Sequence, residues 1–272
     1  MTAPGSMSAD TRERLLAAGL DPDRVDALVR TALDEDLMGG VDVTSEATIA
    51  PGHVSTAVFR TRAAGVVAGL PVAAAVIEMV CGASCHVGYV ASDGDRVAAG
   101  TELARVVAPT QPLLTAERTA LNLLCRLSGV ATLTRRWADQ LEGTSAEVRD
   151  TRKTTPGLRQ LEKYAVRCGG GVNHRHGLFD MALVKDNHVE AAGGVAEATE
   201  LVRRLRSEIP VEIEVDDLAG LDEAIAAGAD EVLLDNFEVD QMRAAVARRD
   251  TDAPHVKLEA SGGLTLEVAL GL

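Results

Sequence analysis

Basic and histidine side chains are concentrated in residues 150–188, a window interrupted by glycine and proline. The whole chain of 272 residues has a formal net charge of −14, yet this window is net positive. Its basic and histidine residues are Arg152, Lys153, Arg159, Lys163, Arg167, His174, Arg175, His176, Lys185 and His188. A local excess of cations in an acidic chain indicates a site for a polyanion. The glycine run at 169–171 would let backbone amides approach such a ligand closely.

The side chains suited to carboxylate or phosphate recognition are Arg118, Arg152, His174 and Arg175. A planar guanidinium presents two parallel N–H donors to a carboxylate or a phosphate. Lys153 and Lys185 would serve as point charges facing phosphates. Lys185, at the end of a predicted strand, also permits a Schiff base as in barrel aldolases, which would require an apolar pocket around its amine.

Two carboxylates on different predicted strands, Glu214 and Asp235, suit ribose hydroxyls or Mg²⁺. Paired carboxylates also occur in glycoside hydrolases, but the many cations make a neutral sugar a poor match. Ser261, Gly262 and Gly263 follow another predicted strand and would offer free amides to a phosphate. Together these residues predict one substrate with carboxylates and a second with phosphates and a ribose-like diol.

The elements that carry these residues alternate after position 145. The predicted strands are 146–153, 181–186, 211–216, 231–236 and 255–261, and the predicted helices are 157–169, 194–208, 217–227 and 239–249. Such alternation predicts parallel strands with right-handed crossovers. In an α/β barrel the carboxyl ends of the strands converge on one face, which holds the active site. The alternative is that charged residues simply end the strands at the solvent edge.

Residues 1–115 have a different pattern and are predicted to form a separate α/β domain. Apolar residues recur at helical spacing within 22–36, where Asp21 and Pro22 would form the cap and first turn. A β-rich stretch follows. A long helix from Thr115 is predicted to connect this half to a second domain, residues 116–272, which would carry the site.

Composition excludes several classes of protein. With 46% hydrophobic but 2% aromatic residues, the core must be built from small aliphatic side chains, as in buried parallel sheets. The acidic balance argues against a nucleic-acid binder, and no apolar run is long enough to cross a membrane. The four cysteines lack metal-ligand spacing and are expected to be buried free thiols in a reducing cytoplasm.

The window DTRKTTPGLRQLEKYAVRCGGGVNHRHGL, followed by KDNH, EVD, LLDNF and EASGG, closely resembles the quinolinate phosphoribosyltransferase family. The segments LDEDLMGGVDVTSEATI, AGVVAGL and LLTAERTALNLLCRLSGVAT resemble the amino-terminal half of that family. The resemblance implies an open α/β sandwich domain followed by an incomplete, seven-stranded α/β barrel. It also implies the conversion of quinolinate and phosphoribosyl pyrophosphate, with Mg²⁺, to nicotinate mononucleotide, pyrophosphate and CO₂.

By this resemblance, site residues can be assigned position by position. Those matching the quinolinate site are Arg118, Arg152, His174, Arg175 and Lys185. Those matching the phosphoribosyl pyrophosphate site are Lys153, Lys185, Glu214, Asp235, Ser261, Gly262 and Gly263. The expected catalytic residues are Lys153, Lys185, Glu214 and Asp235, of which the last two would hold Mg²⁺ directly or indirectly. Arg118 is expected to reach a neighbouring subunit's site, which implies a homodimer or a hexamer of dimers.

The chain departs from the family pattern at two places. His176 stands where an aliphatic residue is expected, and the chain ends at LTLEVALGL, where the pattern continues with a further strand and a phosphate loop. The barrel is therefore expected to lack its last strand and to bind phosphoribosyl pyrophosphate more weakly than a full-length relative. Two alternatives remain open: a related phosphoribosyltransferase acting on another ring, and a catalytically impaired homologue.

Overall fold

A computed structural model of the chain describes residues 5–266, which divide into two compact units between His174 and Arg175. The first unit contains helices α1 (Ala9–Ala17), α2 (Pro22–Leu37), α3 (Val43–Thr48), α4 (Leu70–Cys81), α5 (Thr110–Gln140) and α6 (Arg159–Cys168). Its strands are β1 (Val54–Arg60), β2 (Gly65–Val66), β3 (His86–Tyr89), β4 (Arg96–Val97) and β5 (Glu102–Pro109). The strands form an antiparallel sheet in the order β1-β5-β3 and a separate β2-β4 pair.

Helix α2 confirms the expectation for residues 22–36. The Asp21 carboxylate accepts the Asp23 N–H at 2.9 Å, and Pro22 occupies the first turn, where a missing N–H costs no hydrogen bond. Val25, Val29 and Leu33 recur every four residues and are buried. Their stripe belongs to the core that α4 and α5 share with β5, so the unit has the expected α/β layers.

The long helix begins five residues earlier than predicted. Thr115 lies inside α5, where its hydroxyl donates to the Gln111 carbonyl at 3.1 Å instead of capping the helix. Pro112 is tolerated because it falls in the first turn of the helix, starting from Thr110. The predicted domain boundary at residues 115 and 116 therefore falls within one continuous helix; as a division of the chain it stays a prediction.

The second unit repeats a strand–helix pattern. Its elements are β6 (Ala182–Val184), α7 (Asp186–Ala192), α8 (Val195–Leu205), β7 (Val211–Val215), α9 (Leu218–Ala226), β8 (Glu231–Asp235), α10 (Val239–Asp252) and β9 (Lys257–Ser261). The four strands pair in parallel in the order β6-β7-β8-β9, which confirms the α/β barrel-type arrangement. The predicted loss of a last strand concerns positions beyond 266, which lie outside the described residues.

Alternation along the strands separates the two faces of this sheet. In β7, Val211, Ile213 and Val215 are buried in the apolar core made with the helices. Glu212 and Glu214 must then face the opposite side, because successive side chains of a strand alternate. The same alternation in the other strands brings the polar side chains of the predicted site to one face.

The prediction of a strand at 146–153 was wrong. Within the described residues this segment forms only an isolated parallel bridge between Arg149 and Val172. Local hydrogen bonds replace a ladder: the Thr151 hydroxyl accepts the Lys153 N–H at 2.9 Å, and the Thr154 N–H reaches the Arg152 carbonyl at 2.9 Å. Short polar side chains that bind nearby backbone favour such turns over sheet structure.

The structure also bears on the predictions for membrane-spanning segments and for the cysteines. In the part of the chain that the structure describes, no helix has both the length and the apolar character needed to cross a bilayer. All four cysteines are free, as predicted, but their burial was overstated, because Cys125 is exposed and two others are half-buried. Burial raises the pKa of the Cys81 thiol to about 12, which keeps this thiol protonated and unreactive at neutral pH.

Candidate functional site

The carboxyl edge of the parallel sheet carries four of the predicted site residues. Lys185 directly follows β6, Glu214 lies near the end of β7, Asp235 ends β8 and Ser261 ends β9. Asp235 pairs in register with Ser261, and Glu214 pairs with the residue two positions before Asp235. Since side chains two apart share a face, Glu214, Asp235 and Ser261 lie on the same side of the sheet.

Lys185 and Glu214 form an ion pair across neighbouring strands. The lysine side chain is 45% exposed, whereas the glutamate side chain is 16% exposed. A half-exposed amine paired with a carboxylate is unlike the desolvated amine in an apolar pocket that Schiff-base chemistry requires. The structure therefore argues against the aldolase alternative.

The ends of β8 and β9 are held together by their backbones. The Asn236 N–H donates to the Ser261 carbonyl at 2.9 Å, and the Asn236 side chain donates to Asp235 at 2.9 Å. Asn236 and Gly262 both have positive φ, 56° and 85°. A β-carbon at Gly262 would overlap the Asn236 side chain, so only glycine fits this close approach.

The loop that follows Arg175 is shaped by one carboxylate. Asp180 accepts the N–H of His176 at 2.7 Å and the N–H of Gly177 at 2.9 Å. Burial alone would raise the pKa of Asp180, but these backbone hydrogen bonds outweigh it and lower the pKa. The exposed His176 contributes its backbone to this loop, which explains why an unusual side chain is accommodated there. Arg175 donates to the Met181 carbonyl at 3.2 Å.

Three further acids on the site face of the sheet were missed by sequence reasoning: Glu212, Glu231 and Glu259. Glu212 pairs in register with Glu231, and Lys257 lies 3.5 Å from the Glu231 carboxylate. The signal was present in the sequence VEIEV, in which apolar and acidic residues alternate, but only its last glutamate was recognised as a site candidate.

In the first unit, Arg152 and Lys153 occupy the loop after the Arg149 bridge. Lys153 is exposed. The Arg152 Nε is buried and has no hydrogen-bond acceptor among the described residues. A buried guanidinium nitrogen needs an acceptor, and a ligand carboxylate or phosphate would supply one. This supports the prediction that Arg152 binds an anion.

Several cations of the 150–188 window are structural, which corrects their assignment to an anion site. Lys163 is fully buried against Asp150. Arg167 donates to the Asn173 side chain at 2.7 Å and to the Ala18 carbonyl at 2.8 Å. Arg159 donates to Thr154 at 3.0 Å, within the same window. Sequence alone does not distinguish such internally paired cations from ligand-binding ones.

The glycine run also has a structural purpose. The N–H groups of residues 169–171 donate to carbonyls in the last turn of α6, at 2.9–3.0 Å. A β-carbon at Gly169 would lie 2.5 Å from the Ala131 carbonyl of α5, and one at Gly171 would crowd Thr134 and Val166. The run therefore allows α5 and α6 to pack closely, and its amides do not serve a ligand as predicted.

The loop carrying Lys153 is anchored by Glu162. Its carboxylate accepts two hydrogen bonds from Arg126, at 2.7 and 3.0 Å, and the Thr155 N–H at 3.1 Å. Burial alone would raise the pKa of Glu162, but the hydrogen bonds from Arg126 and Thr155 outweigh it and lower the pKa. The Thr-Thr-Pro-Gly segment is thus attached to both α5 and α6.

Arg118 lies on an exposed part of α5, beside a cavity of about 1070 Å³ within the first unit. The cavity is lined mainly by apolar residues of β1, β2 and α5, such as Val58, Val66 and Leu121. Arg60, Arg62 and Arg136 line the cavity as well as Arg118, so guanidinium groups are set among its apolar walls. Whether Arg118 reaches a neighbouring subunit stays a prediction.

Replacing Glu162 by glutamine should destabilise the protein at neutral pH by about 2 kcal/mol, because charge-assisted hydrogen bonds to Arg126 are lost. The lowered pKa of the folded-state carboxyl means that its contribution is complete above the ordinary value of 4.5 and is lost as the pH falls through the folded value. Urea unfolding of wild type and Glu162→Gln between pH 7 and pH 4 should show the difference shrink towards the acid end. A difference that stays constant or grows in acid would contradict this origin.

Comparison with known proteins identifies two family domains in the chain, which meet near residue 129. Residues 42–128 match the family model for the N-terminal domain of quinolinate phosphoribosyl transferase, and residues 130–271 match its C-terminal domain. The nicotinate-nucleotide pyrophosphorylase (carboxylating) of Mycobacterium leprae is 52% identical over 242 residues, covering 89% of this chain and 85% of the relative. The human protein of the same name is 36% identical over 255 residues, covering 93% of this chain and 84% of the relative.

Solved structures agree with these sequence relationships. The nicotinate-nucleotide pyrophosphorylase from Francisella tularensis superposes with a TM-score of 0.86 at 39% identity, covering 92% of this chain and 86% of that one. Both family domains are therefore matched in sequence, and the fold agrees over nearly the whole chain. The chain belongs to the quinolinate phosphoribosyltransferase family.

Proposed function

We propose that this protein transfers the phosphoribosyl group of phosphoribosyl pyrophosphate to quinolinate and decarboxylates the product, giving nicotinate mononucleotide, pyrophosphate and CO₂ for NAD biosynthesis. The observation that carries the proposal is the set of side chains at the carboxyl edge of β6–β9. Lys185, Glu214, Asp235 and Ser261 lie there together, at the edge where α/β barrels place their active sites.

A dicarboxylate is favoured over another ring as the acceptor substrate. Relatives that cover most of this chain are named carboxylating enzymes. The chain supplies Arg118, Arg152, Arg175 and His174 as cationic or hydrogen-bonding candidates for two carboxylates. The buried Nε of Arg152 is the clearest of these because, among the described residues, it has no acceptor.

The chemistry follows from the charges that these residues bring. Departure of pyrophosphate leaves developing positive charge on the ribose carbon, which Glu214 and Asp235 stabilise while they hold the ribose hydroxyls. Lys153 and Lys185 stabilise the departing anion. The pyridine nitrogen, fixed by arginine–carboxylate pairs, forms the new bond to that carbon as the bond to pyrophosphate breaks.

Decarboxylation then needs no general base. The ring nitrogen of the adduct is cationic, so when the bond to the 2-carboxylate breaks, the electron pair left on the ring carbon is stabilised by the adjacent positive charge. That carbon takes a proton from solvent. Lys185 and the arginines position the departing carboxylate in this scheme.

Mg²⁺ is the proposed cofactor, and the residues present suit it. Glu214 and Asp235 provide carboxylate oxygens on neighbouring strands, the donors that Mg²⁺ prefers. Because Glu214 is paired with Lys185, Asp235 is the more available ligand. Bound Mg²⁺ would neutralise charge on the pyrophosphate.

We also propose that the protein works as a homodimer, or as a hexamer of dimers, in the cytoplasm. The exposed position of Arg118 on α5 supports a role across a subunit interface. The four free thiols support a reducing compartment.

The purified chain should release labelled CO₂ from quinolinate labelled at its 2-carboxylate, and only when phosphoribosyl pyrophosphate is present. Removing divalent cations with EDTA should abolish turnover, and added Mg²⁺ should restore it, since the charge of pyrophosphate must be neutralised. Nicotinate is the control substrate, because a related transferase acting on nicotinate would form a mononucleotide from it without releasing CO₂. No turnover of quinolinate at high protein concentration would refute the proposed reaction.

Arg152→Ala should raise the KM for quinolinate at least tenfold, roughly the loss of one charge-assisted hydrogen-bonded contact of about 1.4 kcal/mol or more. The KM for phosphoribosyl pyrophosphate should change little. Arg204→Ala, which removes an exposed arginine paired with Glu200 on α8, is the matched control. An effect confined to phosphoribosyl pyrophosphate would show that Arg152 has been assigned to the wrong substrate.

Mixing two impaired variants, assayed at a quinolinate concentration well below the wild-type KM, tests whether Arg118 acts across an interface. If each site combines its own Arg152 with a neighbour's Arg118, a hybrid of Arg118→Ala and Arg152→Ala subunits has one intact site and one lacking both arginines. After subunit exchange at equal concentrations, about a quarter of wild-type activity should return. Activity that stays at the level of the separate variants would mean that Arg118 serves its own subunit's site or none.

A further inference from the structure

We propose that Asp150 and Lys163, a buried ion pair in the first unit, are positioning residues that fix the quinolinate-binding residues His174 and Arg152. The proposal rests on the function proposed above and adds two residues that act without touching the substrate. Its basis is the convergence of their hydrogen bonds on one short segment of backbone, residues 173–174.

Asp150 binds the segment through both carboxylate oxygens. Its Oδ1 accepts the His174 N–H at 2.9 Å, and its Oδ2 accepts the Asn173 side-chain amide at 2.5 Å. Asp150 also donates its own N–H to the Val172 carbonyl at 3.2 Å. One side chain thus fixes the direction in which the chain leaves the glycine run.

Lys163 completes the arrangement from α6. Its side chain has 0% exposure, and its Nζ donates to the His174 carbonyl at 2.9 Å as well as to Asp150. The N–H of His174 is therefore held by the anion of the pair, and its carbonyl by the cation. Because both backbone polar groups of His174 are held by hydrogen bonds, the position of its α-carbon, from which the imidazole side chain extends, is fixed too.

The same ion pair also constrains the backbone that carries Arg152. Asp150 precedes it by two residues, and within residues 5–266 the only sheet-like contact of that segment is the Arg149–Val172 bridge. The Arg152 Nε is buried without an acceptor among the described residues, so small movements of its backbone change the direction of a desolvated donor. Misplacement of a binding group by about 1 Å can cost a hundredfold in rate.

A purely structural role explains this pair less well. Burying two charges costs several kcal/mol per ion, and apolar replacements are often as stable, so such a pair is weak evidence for a role in stability. Here the hydrogen bonds that compensate the burial are directed to His174 and Asn173, beside the predicted carboxylate site. Orientation of that backbone is the property that apolar residues would not reproduce.

Two variants separate orientation from stability. Asn173→Ala removes the side-chain hydrogen bonds from Asn173 to Asp150 and to the Lys163 carbonyl, and the one it accepts from Arg167. Asn173 is half-buried and the Asp150–Lys163 ion pair remains, so the fold should stay intact. The double variant Asp150→Asn with Lys163→Met removes both charges, so no unpaired ion stays buried. The control is Glu78→Ala. The Glu78 carboxylate accepts hydrogen bonds from Ser8 and Thr11, so the variant should lower stability without touching this segment.

For each folded variant, quinolinate affinity is measured by calorimetry, together with both KM values and the thermal midpoint. We expect both variants to weaken quinolinate binding by about tenfold while the KM for phosphoribosyl pyrophosphate changes less than about twofold. Glu78→Ala should lower the midpoint and leave quinolinate affinity unchanged.

An active wild type whose two variants bind quinolinate normally would overturn the positioning role alone. The positioning role would also be overturned if quinolinate affinity fell in proportion to the thermal midpoint in every variant, Glu78→Ala included. Failure of the wild type to bind or convert quinolinate would overturn the proposed function, and this inference with it.

Discussion

Alternation of side chains along parallel strands is the constraint on which the second unit depends. Once Val211, Ile213 and Val215 are buried under the helices, the intervening glutamates have to occupy the other face. The helices stabilise the sheet through the apolar side, and that leaves the polar side for chemistry. Stability and function thus depend on opposite faces of the same sheet. A one-residue shift of register would exchange the side chains on the two faces.

In the first unit the main constraint is electrostatic: several cations lie close together and would repel one another without nearby anions. Lys163 is paired with Asp150, and Arg126 with Glu162, so two cations near the site loop have an internal anion. Other basic side chains remain available to bind a ligand, notably Arg152 and the exposed Lys153. Part of the positive charge in residues 150–188 is therefore used inside the fold, at Arg159, Lys163 and Arg167.

The sequence predicts the strands of the second unit well because their pattern is local. Short aliphatic runs that end in charged residues recur at β6 to β9, and the residues at their ends lie where the pattern places them. It fails at 146–153, where Thr151 and Thr154 make local hydrogen bonds that compete with a ladder. The role of the glycine run depends on its distance from α5, which no local pattern contains.

On the proposed function, the two substrates need side chains of opposite charge. Quinolinate is a dianion and needs Arg152 and His174, whereas the ribose hydroxyls and the positive charge that develops beside them need Glu214 and Asp235. The same groups on one element would neutralise each other, as Lys185 and Glu214 do where they meet. Arginines held by an internal scaffold such as Asp150 and Lys163 stay available for the acceptor, and strand-end carboxylates stay available for the donor. Positioning the backbone is then as important to binding as the ligand-facing charges themselves.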